Sequence, residues 1–562
     1  MPFRPALPPG VRPLPAGEAP LVPDQPHPWR PLLARRRPGR SPSTPRRRNP
    51  MKPRSLGCFV PSLFFLFGLC AAAGLPLSAG AASDTLVYGH QSKIDTLDHY
   101  KTSSSISWTL GYLMWDSVVE RDPRTNQIVP GAAKSWRIIN DTTWEFTLHE
   151  GIRFHNGNPL DAEAVRFTIM EGILNPERKS TKAGHFKWIE RVEVVDPLTF
   201  RIITKSPYAL VLDRLYNLYI YDPVSTRANG FDSLSETPMG SGPYMFVKSV
   251  RDSELLMTRN PNYWKKGAAQ IENIKIRIIP EPSTRLAELL SGGIHFTTTL
   301  PNDMIDALRK SDKAEPLIAD TAEVNFWQFD AVGRAAKTPL MDRRVRQAIW
   351  HAIDRHAIVK TVLRDLGTVI DSPVNPLMFG FDPSVRGYPY DPEKAKALLK
   401  AAGFENGFEI DLWQYVNHQN FPNQAAMGYL NKVGIKVNLK DYTGNIGQMV
   451  TLRNAGKITG IGNFEWITAI LDADVTLSAW FGPGPMNYTE DAELAKWLEE
   501  AGSTLNMETR KALFAKVQKK VVDEAYWMPF YSIKELAGRS KNLHVEMVAG
   551  QIPWFKGAYW KK

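Results

Sequence analysis

Two histidines and a glutamate are the residues whose types and spacing first point to chemistry in this 562-residue chain. His149 and His155 lie close together, and Glu150 follows the first of them. Two imidazoles could bind a transition metal, and the carboxylate could act as a general base. The sequence lacks the His-x-x-x-His spacing and the cysteine clusters that accompany such sites. We therefore interpret both histidines as parts of a scaffold.

The residues around these histidines predict the elements that position them. Residues 144–148 alternate apolar and polar side chains, as in a half-buried strand, and residues 152–154 resume the alternation. Asn156-Gly157, which follows this second strand, predicts a tight turn. Asp161 is a good N-cap for a helix whose apolar residues begin at Val165. The stretch is thus predicted to be strand, turn, strand and helix.

The other candidates for catalysis are weaker still. Ser241, within Gly240-Ser-Gly-Pro, is followed by a predicted strand, whereas a nucleophile serine sits on an elbow between a strand and a helix. Gly292-Gly293 is too short for a phosphate-binding loop. We predict a protein that is not an enzyme and has neither a cofactor nor a bound metal. The alternative is a periplasmic hydrolase on a similar α/β body.

Residues 1–50 do not have the composition of a folded domain. They contain 15 of the 43 prolines and ten arginines, so they cannot bury enough apolar surface to offset their ordering entropy. We predict a disordered Pro/Arg-rich extension. Either a basic arm that binds nucleic acid or an anionic membrane, or a start codon assigned too far upstream, would account for it.

Residues 51–82 have the layout of a secretory signal peptide. Lys52 and Arg54 precede the mostly apolar run Phe59–Leu77, and Ala79-Gly80-Ala81 supplies the small residues that signal peptidase requires. Cleavage near residue 82 would export the remainder to the periplasm. The alternative is an uncleaved membrane anchor, because the run approaches membrane-spanning length.

Removing residues 1–82 changes the charge of the protein. The whole chain has a formal net charge of +11, but this segment holds twelve of its 69 Lys+Arg and two of its 58 Asp+Glu. The remainder carries +1, which gives no support for nucleic-acid binding. Cys58 and Cys70 also lie in the segment, so the mature chain would depend on core burial without disulfides.

The mature part has the pattern of an α/β protein. Helices are predicted over residues 104–119 and after the capping residues Ser283, Asp342 and Asp391. In the helix after Asp342 the apolar residues share one face, which places Arg346 outward.

Farther along, apolar strands through residues 408–412 and 435–439 flank another predicted helix. This β-α-β order predicts a sheet with crossover helices.

Five blocks of the mature chain occur in a fixed order. They are Phe146–Gly157, Gly240–Tyr244, Arg259–Trp264, Asp342–Ala348 with Ala352–Arg355, and Tyr390–Ala395. In this order and spacing they resemble the bacterial extracellular solute-binding proteins of family 5. These are the dipeptide, oligopeptide and nickel-type binding components of ABC transporters.

The resemblance implies a two-lobe periplasmic-binding-protein fold with a hinge and an extra subdomain in the first lobe. By position, residues 83–323 would form lobe I with its subdomain, residues 324–526 lobe II, and residues 527–562 a return to lobe I. The hinge crossings are expected near Val324–Phe329 and Trp527–Tyr531.

The resemblance also locates the specificity loops. Dipeptide binders of the family hold the peptide carboxylate with an arginine in the loop that matches residues 412–421, and this loop has no arginine here. They hold the amine with an aspartate, and the matching residue here is Ala469. A zwitterionic dipeptide that needs both clamps would therefore bind poorly.

Aromatic and polar residues occupy these loops instead. Flat side chains suit stacking on an apolar, aromatic or sugar-like solute, and neighbouring polar groups can orient it. Trp466 follows the family's interlobe tryptophan position, and the segment around Trp108 is expected to face the cleft from the other lobe. The residues predicted to bind ligand are Trp466, Trp413, Tyr415, Asn417, His418, Phe464, Trp108 and Asp472.

These observations predict a periplasmic substrate-binding protein of an ABC import system. It would bind a peptide or another small organic solute in the interlobe cleft and deliver it to the permease subunits. The mature protein is expected to be monomeric and to bind no nucleic acid.

Overall fold

A computed structural model of the protein describes residues 84–468, 470–548 and 551–561. The predicted extension 1–50, the signal peptide 51–82 and Ala469 lie outside the described residues. Among the helices that are described, none combines the length and apolar character needed to cross a membrane.

The described residues form an α/β structure. The strands are β1 Thr85–His90, β2 Val119–Arg121, β3 Ile128–Pro130, β4 Ala133–Asn140, β5 Thr143–Leu148, β6 Ile189–Asp196, β7 Thr199–Thr204, β8 Tyr244–Val250, β9 Glu254–Arg259, β10 Asn273–Ile278, β11 Phe296–Thr297, β12 Ala314–Asp320, β13 Val324–Phe329, β14 Gly367–Val369, β15 Phe408–Gln414, β16 Ile435–Asp441, β17 Ile461–Trp466, β18 Trp527–Ser540, β19 Leu543–Val548 and β20 Ile552–Trp560. The helices are α1 Ile106–Met114, α2 Ala162–Phe167, α3 Val211–Leu215, α4 Pro223–Asn229, α5 Pro282–Ser291, α6 Ile305–Arg309, α7 Arg343–Ala352, α8 Arg355–Thr361, α9 Pro392–Ala401, α10 Asn420–Asn431, α11 Ile446–Asn454, α12 Ala473–Phe481, α13 Ala492–Ser503 and α14 Met507–Asp523.

The long strand β18 joins the two halves of the main sheet. The strand order is β16-β15-β17-β13-β18-β11-β1-β10-β9-β8, with β12 and β14 also paired to β18. The start of β18 pairs antiparallel with β13, and its end pairs antiparallel with β12. A separate antiparallel sheet has the order β4-β5-β7-β6.

The predicted β-α-β unit is confirmed. Strands β15 and β16 are parallel, with Phe408 opposite Ile435, and α10 connects them. Strand β17 pairs parallel with the other edge of β15. A right-handed crossover helix that packs on the sheet is the usual way to connect parallel neighbours.

Side chains of β13 alternate between the two faces of the sheet. Phe326 stacks on Trp527, with ring centroids 3.5 Å apart, and lies in an aromatic core with Trp480. The next residue, Trp327, points to the opposite core and donates its indole N–H to Asn423 Oδ1 at 3.1 Å. The two faces of this part of the sheet are therefore distinct.

Three predicted helix starts are confirmed by their capping hydrogen bonds. The carboxylates of Asp161, Asp342 and Asp391 accept from the backbone N–H groups of Ala164, Arg344 and Lys394. Each bond satisfies an N–H that has no partner within its helix.

Three local predictions are wrong. Residues 152–154 form only an isolated bridge, Arg153 to Pro159, and no second strand. The helix predicted over residues 104–119 ends at Met114, since the backbone N–H of Asp116 donates to Ser241 Oγ. Ser283 is not a cap, because Pro282 already occupies the first turn of α5.

Arg346 is buried on α7 and does not point outward as predicted. It is 3 % exposed, and its guanidinium donates to the carbonyls of Leu340 and Glu524. Carbonyls buried in loops need donors, and a long arginine side chain can supply several at once.

Gly407 offers a test of how tightly the β15–β16 pair is built. It has φ +76°, and a Cβ there would lie 1.9 Å from the carbonyl oxygen of Gly434. We expect Gly407→Ala to lower the free energy of unfolding by at least about 2 kcal/mol, measured by urea denaturation. Gly428→Ala is the control, because the Cβ would meet nothing within 4 Å inside α10. It should raise stability by about 0.5–1 kcal/mol, and equal effects would contradict this account.

Candidate functional site

The predicted specificity loops meet at one edge of the sheet. Strands β15 and β17 are parallel, so the segments that follow Gln414 and Trp466 leave the sheet at the same edge. Strand β13 is antiparallel to β17 and begins there, with Val324 opposite Trp466. In open α/β sheets, ligands bind outside the carboxyl ends of the parallel strands. This edge is the candidate site.

Three side chains with ionisable groups converge at this edge. His418 Nε2 lies 3.2 Å from Glu465 Oε2 and 3.9 Å from Glu323 Oε1. Asn325 donates to Glu323 Oε1 at 2.6 Å, and Gln419 donates to Asn325 Oδ1 at 3.1 Å. We call Glu323, His418 and Glu465 the edge cluster. His418 belongs to the predicted ligand residues, whereas both glutamates were missed.

The surroundings of the edge cluster change its protonation. Burial, reinforced by the charge of Glu465, raises the pKa of Glu323 to about 7. Burial opposes a charge on His418, but the Glu465 and Glu323 carboxylates outweigh it and raise the pKa of this imidazole. Glu323 therefore titrates near neutral pH.

Trp466 lies on the opposite face of β17 from Glu465, because neighbouring side chains in a strand alternate. Its ring is half-buried and meets Trp480 edge to face, with centroids 5.7 Å apart. Phe464 shares this face and is fully buried. Trp466 thus reaches the candidate edge from the aromatic core, whereas Phe464 supports it from within.

The loop after β15 contributes side chains in different environments. Tyr415 is 9 % exposed, and its hydroxyl lies 3.4 Å from the backbone nitrogen of Glu465. Trp413 is half-buried, stacks on Tyr442 and donates its indole N–H to the carbonyl of Thr459 at 2.8 Å. Asn417 is exposed in the short turn Asn417–Gln419. Within this group, Asn417 is the residue most open to solvent.

Asp472 forms a buried ion pair. Its two carboxylate oxygens accept from Arg510 at 2.8 and 2.9 Å, and the two side chains are 2 % and 1 % exposed. The same carboxylate caps α12 by accepting from the backbone N–H of Asp474. These contacts occupy the carboxylate within the protein and anchor the start of α12.

Trp108 lies on α1, in the first part of the chain. Its ring packs against a buried lysine. Lys182 Nζ is 3.9 Å from the centre of the Trp108 ring and 2.7 Å from His99 Nε2. Burial lowers the pKa of Lys182 to about 7. The carbonyl of Trp108 lies 3.4 Å from the hydroxyl of Tyr219.

A small cavity of about 30 Å³ lies beside Tyr219. It is lined by Tyr112, Tyr216, Trp554 and, from the segment after β17, Leu471. The eight residues predicted to bind ligand do not line it. It nevertheless joins side chains from distant parts of the sequence, which no local pattern would have revealed.

The histidines of the opening stretch are part of the scaffold, as predicted. His155 Nε2 lies 3.0 Å from the carbonyl of Gly242, and burial lowers the pKa of its imidazole to about 4. The ring of His149 packs 4.8 Å from that of Trp264. Gly240 is required where the chain crosses α1, because a Cβ would lie 1.7 Å from the carbonyl oxygen of Met114.

The match to known families agrees with this architecture. The profile of "Bacterial extracellular solute-binding proteins, family 5 Middle" matches residues 127–488. The chain belongs to this family. It is a solute-binding protein of the kind that serves ABC import systems, and it has the two-lobe periplasmic-binding-protein fold.

Curated relatives extend the likeness of this family 5 protein over most of its length. It is 26 % identical over 477 residues to the glutathione-binding protein GsiB of Pectobacterium atrosepticum, covering 82 % of this chain and 91 % of the relative. It is 30 % identical over 451 residues to heme-binding protein A of Haemophilus influenzae, covering 74 % and 81 %. These relatives are binding proteins, and they give no support to the hydrolase alternative.

Solved structures share the fold of this family 5 protein. HbpA2 from Haemophilus parasuis superposes with a TM-score of 0.77 at 24 % identity, covering 85 % of this chain and all of the other. The unliganded open form of MppA, a periplasmic murein tripeptide binding protein, gives 0.74 at 18 % identity, covering 85 % and 98 %.

The pKa of Glu323 predicts a pH dependence of stability. Because its pKa of about 7 in the folded protein exceeds the ordinary value, its contribution is complete at acid pH and is lost as the pH rises through 7. Relative to Glu323→Gln, the wild type should lose at most about 3 kcal/mol of unfolding free energy between pH 5 and 8, measured by urea denaturation in EDTA. Glu393→Gln, at a carboxylate that is 79 % exposed, is the control. A difference that does not change with pH would contradict the assignment.

Proposed function

We propose that the protein captures a small organic solute, peptides included, at the carboxyl edge of β15 and β17. The observation that supports this most directly is the convergence of the loops after Gln414 and Trp466 at one edge. That edge presents a half-buried indole, an exposed amide and the edge cluster side by side. It offers a flat apolar surface for stacking and polar groups for orientation.

Hinge closure would complete the site. We place lobe I at residues 83–323, lobe II at 324–526 and the return at 527–562, with crossings in β13 and at the start of β18. These two strands pair with each other, so a bend at the pair can move one lobe against the other with little loss of hydrogen bonds. Closure would bring the region of Trp108 toward Trp466 and exclude water from the solute.

The ligands of the relatives suggest a class of solute for this protein. The names of the curated relatives specify glutathione and heme as their ligands, and solved relatives were captured with peptides such as Met-Leu. Glutathione and heme both combine carboxylates with a larger organic body. The site proposed here has aromatic side chains in place of the dipeptide clamps, which favours a solute with an apolar or flat part over a simple zwitterionic dipeptide.

The remaining assignments follow from the family and the proposed signal peptide. The mature protein would act in the periplasm as a monomer, would deliver its solute to ABC permease subunits and would perform no catalysis. Its cargo can be identified by mass spectrometry of whatever co-purifies with it, and recovery of a chemically unchanged solute is expected. Turnover of the solute would overturn the binding assignment.

Substitution of Trp466 tests whether the solute stacks on this side chain. Trp466→Ala should abolish solute-dependent thermal stabilisation, because the stacking surface is lost. The melting temperature without solute should fall by only a few degrees, since the ring is only half-buried. Both are measured by thermal denaturation with and without the co-purifying solute.

Trp497→Ala is the matched control. Trp497 is also half-buried, but it lies on α13 outside the proposed site. It should keep full solute-dependent stabilisation. A large loss of stability in unliganded Trp466→Ala would show instead that Trp466 serves the core.

A further inference from the structure

The edge cluster has an unbalanced charge. Within the described part of the chain, Glu323 and Glu465 form ion pairs with His418 and with no lysine or arginine. One imidazolium can balance only one of the two carboxylates, and buried charges are normally paired or coordinate a metal. A positive charge supplied from outside would balance the two carboxylates.

His418 adds a nitrogen donor atom that faces both carboxylates. Its Nε2 is shielded from solvent and makes no well-aligned hydrogen bond, although Glu465 Oε2 lies 3.2 Å away. A buried polar atom without a hydrogen bond is rare in folded proteins and calls for an explanation. Once a bound metal displaces its proton, this imidazole nitrogen can ligate the cation.

The two separations that involve His418 are closer to the spacing of metal ligands than to that of acceptors around an ammonium group. One donor atom from each residue of the edge cluster lies within 4.8 Å of the others, and two of the separations are 3.2 and 3.9 Å. Tetrahedral ligands at metal–ligand distances near 2.1 Å are separated by about 3.4 Å. Acceptors around an ammonium nitrogen at about 2.8 Å would be separated by about 4.6 Å.

Neighbouring side chains hold the donors in place, as they do around metal ligands. Asn325 donates to Glu323 Oε1 and is itself fixed by Gln419. Glu323 is 7 % exposed, whereas Glu465 and His418 are 24 % and 34 % exposed. The donor set is therefore closed on the protein side and open on the side where solute would arrive.

We propose that Glu323, His418 and Glu465 bind a divalent transition-metal ion of the zinc class, with a further coordination position open to the cleft. One imidazole and two carboxylates are ligands that such ions accept in proteins. The site goes beyond the proposed function, because the protein alone supplies it before any solute is bound. A solute with a carboxylate or thiolate could then occupy the open position.

The test uses the full-length expressed protein, purified without a histidine tag and dialysed against EDTA and then metal-free buffer. Titration with Co²⁺ should give visible absorption bands that saturate at one ion per chain, and calorimetry with Zn²⁺ should give the same stoichiometry. His418→Gln and Glu465→Gln should each weaken binding at least about tenfold. His356→Gln, at an exposed histidine on α8, should bind as the wild type does.

Two results would overturn the metal site: no saturable binding by the wild type, or binding that neither substitution in the edge cluster weakens. Circular dichroism of each variant confirms that a loss of binding is not a loss of folding. Solute-dependent stabilisation is measured in parallel in EDTA. If it persists while metal binding is absent, only the metal site is refuted and the proposed function stands.

Discussion

The antiparallel pairing of β13 with β17 on one side and β18 on the other is the constraint on which the rest of the site depends. It places Asn325 opposite Glu465 and Phe326 opposite Phe464. Because side chains alternate along a strand, one face becomes an aromatic core and the other carries the ionisable groups. Trp466 and Glu465 therefore reach the same edge from opposite faces.

Burial and charge together set the protonation of the side chains at that edge. The aromatic face is packed, with Phe326, Trp480 and Trp527 in mutual contact. On the polar face, burial and the charge of Glu465 raise the pKa of Glu323, and the two carboxylates raise the pKa of His418. Charged side chains held on packed strands are suited to recognising a ligand, because they need little reorganisation on binding.

Much of the fold was predictable from local signals. The caps Asp161, Asp342 and Asp391 and the strands on either side of α10 were found from patterns that act over a few residues. The errors at Met114 and Arg346 share one cause, which is a contact with a distant segment. Of the candidate site, the loops were located from the sequence, but the two glutamates were not.

The sequence by itself determined the family and located the two loops proposed to carry specificity, because ordered blocks and alternating patterns are local properties of the chain. Only the tertiary structure decided which side chains of those loops meet. Glu323 and Glu465 are far apart in sequence and become neighbours of His418 through strand pairing. Proximity of this kind depends on register between distant strands, and a one-residue change in register would turn Glu465 to the other face.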